Sequence, residues 1–201
     1  MRKNPLDVFA RLATAENYDY ERVDLNEIHL SVPGLWCDHD ISVTWNLGTE
    51  QIQLFLIFEG KTPGGRSDDI CRLMSLINER LAAGHFDYWD KNQALVYRNS
   101  ASLRGGATLR TEQAMDMLAL ALDAAERGYP ASQYVIWAGK SPEDALTSAL
   151  VDLAANPQNH DEVYSPCYWR RKNGRRAYIW LVNHWVSICK KAYYFGSKTR
   201  R

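Results

Sequence analysis
Between residues 19 and 58 the chain repeats with period two, and its breaks have room only for turns. The runs are 19–24, 28–32, 35–45 and 51–58. Successive side chains of a strand point to opposite faces. Leu35, Cys37, His39, Ile41, Val43 and Trp45 therefore share one face of the third run, and Ile52, Leu54, Leu56 and Phe58 one face of the fourth. The breaks fall at Asn26, Pro33-Gly34 and Gly48-Thr49. A crossover between parallel strands takes about a dozen residues, which these breaks do not hold. The four runs predict an antiparallel meander with one face buried.

Helical spacing flanks the meander. Asn4-Pro5-Leu6-Asp7 reads as a helix start, with Asn as cap, Pro at the first position and an acid in the first turn. Leu6, Phe9 and Ala13 share a face, and Asn17 is the stop. After Pro63-Gly64-Gly65, the spacing of Ile70, Leu73, Met74, Ile77 and Leu81 predicts an amphipathic helix that ends at Gly84. Residues 85–89 and 94–103 predict a hairpin turning through Asp90-Lys91-Asn92. Thr111 opens a helix faced by Met115, Leu118, Ala119, Leu122 and Ala125. Gly128 is its expected end, because Tyr129 precedes a proline and is steered out of the helical region. Residues 131–138 fit a short helix, with a strand as the alternative. Ser141-Pro142-Glu143-Asp144 starts a last helix faced by Leu146, Ala149, Leu150 and Leu153. Helix, four strands, helix, two strands and further helices make an α+β fold with a mostly antiparallel sheet.

The length of 201 residues suits one domain with an appendage. Apolar residues are 46% and charged residues 24%, which excludes a wholly disordered chain. No apolar run reaches the ~20 residues of a membrane-spanning helix, and no apolar stretch follows Met1 as a secretory signal would. Cys37, Cys71, Cys167 and Cys189 form no C-x-x-C pair, no disulfide framework and no zinc pattern, so a reducing cytoplasm is the expected home. No cofactor motif is present either. The net charge of zero conceals a division: residues 1–156 carry a balance of −8 and residues 157–201 a balance of +8. The second segment also holds nine of the 23 aromatics, and the expected boundary lies near Asn156-Pro157.

Several blocks look like one family. They are Val32-Pro33-Gly34-Leu35-Trp36-Cys37, Leu76-Ile77-Asn78-Glu79-Arg80-Leu81 with Gly84-His85-Phe86-Asp87, and Tyr97-Arg98-Asn99 with Leu103-Arg104-Gly105. Glu126-Arg127 with Tyr129-Pro130-Ala131 follows, then Trp137 to Ala145 and Ala149 to Asp152. In that order they resemble the YbjN-type proteins over residues 4–155. The resemblance implies a fold similar to the small dimeric chaperones of type III secretion and a role in bacterial sensory-transduction regulation. It carries over no catalytic residues, and it does not reach residues 157–201.

Each chemical motif competes with a structural role. Gly139-Lys140-Ser141 lacks the upstream glycine of a phosphate loop, since position 134 is Tyr, and reads as a helix boundary. Cys37 and His39 on one strand face would stand about 7 Å apart with no third group to orient the base, which favours two core residues over a thiol enzyme. His85 and Asp87 beside Arg98 would either bind a ligand or fix the hairpin by cross-strand pairing. Arg104-Gly105-Gly106 reads as a plain loop, with an anion nest as the alternative. Trp36, Trp45, Trp89 and Trp137 are expected in the core or at a dimer interface. In the second segment, Arg170-Arg171-Lys172 and Arg175-Arg176 flank Tyr168 and Trp169, a pattern that suits nucleic acid or an anionic membrane surface. A non-family extension without a role is the competing reading.

The expected function is a non-enzymatic regulatory or chaperone-like module that binds a protein partner and forms a homodimer. The candidate partner surface is Trp36, His85, Trp89, Arg98, Arg104 and Trp137. The alternatives are a thiol-dependent enzyme using Cys37 and His39, and a nucleic-acid or membrane-surface binder acting through the basic segment.

Overall fold
In a computed structural model that describes residues 4–58 and 65–155, the period-two runs become an antiparallel sheet with every described helix on one side. Asn4 Oδ1 accepts the Leu6 backbone N–H at 3.0 Å and starts α1 (Leu6–Glu16), which Asn17 closes in the left-handed conformation (φ 57°). The meander follows as β1 (Asp19–Asp24), β2 (Glu27–Pro33), β3 (Asp38–Asn46) and β4 (Gln51–Ile57). Next come α2 (Ser67–Asn78), the hairpin β5 (His85–Trp89) and β6 (Ala94–Ser102), α3 (Thr111–Ile136) and α4 (Pro142–Ala155). The sheet order is β1-β2-β3-β4-β6-β5, antiparallel throughout. The α+β expectation holds.

One face of the sheet supplies Ile28, Leu30, Val32, Ile41, Val43, Ile52, Leu54, Leu56, Phe86 and Tyr97 to the core. Helices α1, α2 and α3 cover that face and add Phe9, Leu73, Leu118 and Ala121 among others. Burying each large aliphatic side chain of this set contributes about 1.5–3 kcal/mol. No described helix is long and apolar enough to cross a membrane.

The sequence reading misses in three places. β3 begins at Asp38, not at Leu35, because the Gly34 N–H bonds the Cys37 carbonyl at 2.9 Å and closes a tight hairpin with Leu35 and Trp36 at its tip. α2 ends at Asn78, well before Gly84: the Asn78 side chain accepts the Phe86 N–H at 2.7 Å and donates to the Phe86 carbonyl at 3.1 Å, tying the helix end to β5. α3 runs unbroken from Thr111 to Ile136 through Gly128 and Pro130, and its buried stripe of Ala114, Met117, Leu118 and Ala121 turns Met115 outward.

Gly128 is required for packing and does not end the helix, since a Cβ there would stand 2.7 Å from the Phe86 ring. Pro130 removes the N–H that would bond the Glu126 carbonyl. The Trp36 indole N–H takes that place at 3.1 Å. Ser141 caps α4 through the Asp144 N–H at 3.2 Å, which bears out the helix-boundary reading of Gly139-Lys140-Ser141.

Candidate functional site
The sheet face away from the helices carries the first candidate. Phe86 and Tyr97 point into the core, so their neighbours His85, Asp87, Arg98 and Trp89 share the opposite face of the β5–β6 hairpin. His85 stands opposite Arg98 in the ladder, and Phe55 of β4 pairs Arg98 from the other side. The Arg98 guanidinium donates to Asp87 Oδ2 at 3.1 Å and lies 5.5 Å from the centre of the Phe55 ring. The Phe55 and Trp89 rings follow at 6.0 Å. A shallow open cavity of about 370 Å³ sits beside them, lined by Gln53, Phe55, His85, Arg98, Asn99 and Ser100. Gly84 (φ 70°) also lines it and passes against the Tyr97 hydroxyl, where a Cβ has no room.

Three of the six candidate surface residues, His85, Trp89 and Arg98, therefore come together. Arg98 and Asp87 form the cross-strand ion pair, and the cavity lies beside them. The other three lie elsewhere. Arg104 begins the short 3₁₀ turn after β6, where Gly105 and Gly106 have φ of 72° and 81°. Trp137 follows the last turn of α3 at 72% exposure and donates to Gln133. Trp36 contacts α3 at Glu126, about 16 Å along the helix axis from Trp137. Of the four tryptophans expected in the core or at an interface, Trp45 is buried, Trp89 is half-buried, and Trp36 and Trp137 are exposed. Phe55 is the surface residue that pattern reading missed; its place on the polar side of β4 between Gln53 and Ile57 was the available signal.

The second candidate is the joint between the β2–β3 hairpin and α3. His39 pairs with Val32 and points under α3, buried to 2%, as its place on the apolar face predicts. The same placement corrects two expectations about Cys37. Because β3 starts after it, Cys37 is not held a full strand repeat away, and its sulfur lies 3.9 Å from His39 Nδ1. A third group does orient the ring: Glu126 Oε1 lies 3.1 Å from His39 Nε2 and accepts the Leu35 N–H at 2.8 Å. A Cβ on Gly34 would fall inside contact distance of both His39 Nε2 and Glu126 Oε1. Glu126 thus holds the hairpin by its carboxylate and, through Trp36, by its carbonyl. Its signal in the sequence was an acid on the apolar stripe of a helix, four residues before a proline.

The blocks joined here, 32–37 and 126–131, are two of those that carry the family resemblance. A family model described as "putative bacterial sensory transduction regulator", YbjN, matches residues 5–133. The chain belongs to the YbjN family. The YbjN match includes the hairpin, α3 as far as Gln133, and the cavity residues, and it stops before Trp137. Among solved structures, YbjN from E. coli is 14% identical and aligns with a TM-score of 0.41 over 76% of this chain and 92% of its own. The ExsC–ExsE complex is 18% identical and aligns with a TM-score of 0.43 over 60% of this chain and 86% of that one. No curated protein matches the chain.

Proposed function
We propose that this YbjN-family chain is a non-enzymatic regulatory module of the bacterial cytoplasm that works as a homodimer and binds a protein partner in a chaperone-like way. The observation that carries the reading is the β4–β6–β5 face, where Phe55 lies between Trp89 and Arg98 on a side of the sheet that no described helix covers. Aromatics and Arg are the residue types enriched where proteins meet. Residues 1–156 are the binding domain in this reading. Residues 157–201, where the nucleic-acid and membrane readings rest, lie outside the described residues and are taken as a dispensable extension. Light scattering of the full chain at micromolar concentration tests the dimer. A dimer mass that falls to the monomer in Trp89→Ala or Arg98→Ala, with the melting temperature kept, is the expected result. A monomer mass for the wild type overturns the dimer, and a dimer unaffected by both substitutions moves its interface off this face.

A further inference from the structure
The hairpin–α3 joint lines up a thiol, an imidazole and a carboxylate. Cys37 Sγ is 3.9 Å from His39 Nδ1, and His39 Nε2 is 3.1 Å from Glu126 Oε1. A carboxylate accepts hydrogen bonds and does not donate them, so the ring proton sits on Nε2. In the neutral ring Nδ1 is then the acceptor, and it faces the sulfur. A nucleophile beside a base that a third group orients is the arrangement of an activated thiol. A second observation points the same way: Glu126 Oε2 is buried with no hydrogen-bond partner. A buried carboxylate is costly without positive charge close by. Moving the Cys37 proton onto Nδ1 places that charge on the ring Glu126 already touches.

Cys71 provides the internal contrast. It is exposed on α2, and its thiol is pushed above the ordinary range, first by desolvation and then by Asp68, Asp90 and Asp87. It has the access and lacks the activation. Cys37 is half-buried beside the hairpin tip.

We propose that Cys37 is a modification site for small hydroperoxides, with His39 as the base and Glu126 as the positioning residue. His39 Nδ1 takes the thiol proton, and the thiolate attacks the outer peroxide oxygen. The S–O bond forms as the O–O bond breaks. The sulfur loses two electrons and becomes a sulfenic acid. The hydroperoxide is reduced to its alcohol, or hydrogen peroxide to water, which takes the proton back from His39. The new oxygen arrives in the loop that Leu35 and Trp36 fasten to α3, so oxidation bears directly on that joint.

The test treats the full chain with hydrogen peroxide at neutral pH, traps sulfenic acid with dimedone and maps the four cysteines by peptide mass. Cys37 is expected to react at least about tenfold faster than Cys71, and faster in the folded chain than in urea. His39→Gln keeps an N–H for Glu126 but supplies no base, and is expected to slow Cys37 by about tenfold or more while leaving Cys71 unchanged. A folded wild type in which Cys37 reacts no faster than Cys71, or a folded His39→Gln in which it reacts as fast as before, overturns the assignment. Should His39→Gln not fold, the wild-type ratio of folded to urea rates decides: above one supports the site, at or below one removes it.

Discussion

The two faces of the sheet carry the same polar pair and put it to different use. On the face away from the described helices, His29 Nε2 lies 2.8 Å from Glu27 Oε1 on the same strand, and Ser42 of the next strand donates to that oxygen at 3.2 Å. On the covered face, His39 meets Glu126 across 87 positions of sequence. Both pairs are buried. The first restrains side chains whose backbones the β2–β3 ladder already aligns. The second decides where a hairpin sits on a helix, because the same carboxylate and its carbonyl also hold Leu35 and Trp36. The His39–Glu126 pair joins a strand to a helix that no ladder aligns.

Removing the carboxylates one at a time is the largest test of that contrast. Glu126→Ala leaves the Leu35 N–H and the His39 ring without their acceptor, and is expected to cost about 3 kcal/mol or more. Glu27→Ala removes the acceptor shared by His29 and Ser42 and is expected to cost less, because the β2–β3 ladder holds those backbones without it. Urea unfolding of both variants measures the gap, and equal losses would erase the distinction.

Gly34→Ala comes next. Its methyl group has to displace His39 or Glu126, and overpacking of this kind costs about 2 kcal/mol. The expected signature is lower stability together with a shift of the His39 ring signals in NMR.

Trp36→Phe removes one bond to the Glu126 carbonyl and is expected to cost about 1 kcal/mol. The same change in a Pro130→Ala background is expected to cost less, because an alanine at that position brings back the helical N–H for that carbonyl. A double-mutant cycle with no coupling would show that the indole does not substitute for the missing helix bond.

The smallest expected effect lies away from the joint. Burial raises the Tyr97 phenol to about 12, against a lowering bond from Asn99 and a raising contribution from Asp123. The folded state therefore holds this proton more tightly than the unfolded chain. The stability it gives is fully present below about pH 10 and is lost as the pH rises toward 12. Tyr97→Phe is expected to flatten that alkaline slope, and below pH 10 to lose about 1 kcal/mol with the bond to the Ala83 carbonyl. An unchanged slope between pH 10 and 12 would assign the alkaline loss to other groups.

The strands were legible because alternation over 19–58 is a local property, and the hairpin through Asp90-Lys91-Asn92 for the same reason. Asn17 and Ser141 were legible because caps are local too. The errors arose where a distant residue overrode a local rule. Gly128 and Pro130 are helix breakers by propensity, yet Phe86 requires the first and Trp36 compensates the second. The site followed the same division. His85, Trp89 and Arg98 were found because one hairpin places them on one face, whereas Glu126 was missed because nothing within its own helix names His39 as its neighbour.

The strand order has a consequence for the route by which the chain folds. Among the described residues, every ladder but one joins strands adjacent in sequence; the β4–β6 ladder closes over α2 and β5. Closing that loop is the costly entropic step, since local hairpins form early and distant pairings set the pace. The β4–β6 seam, where Leu54 and Leu56 run beside Asn99 and Tyr97, is thus where the meander and the C-terminal hairpin commit to each other, and substitutions there are expected to slow folding more than those in the β1–β2 turn, which stopped-flow refolding measures.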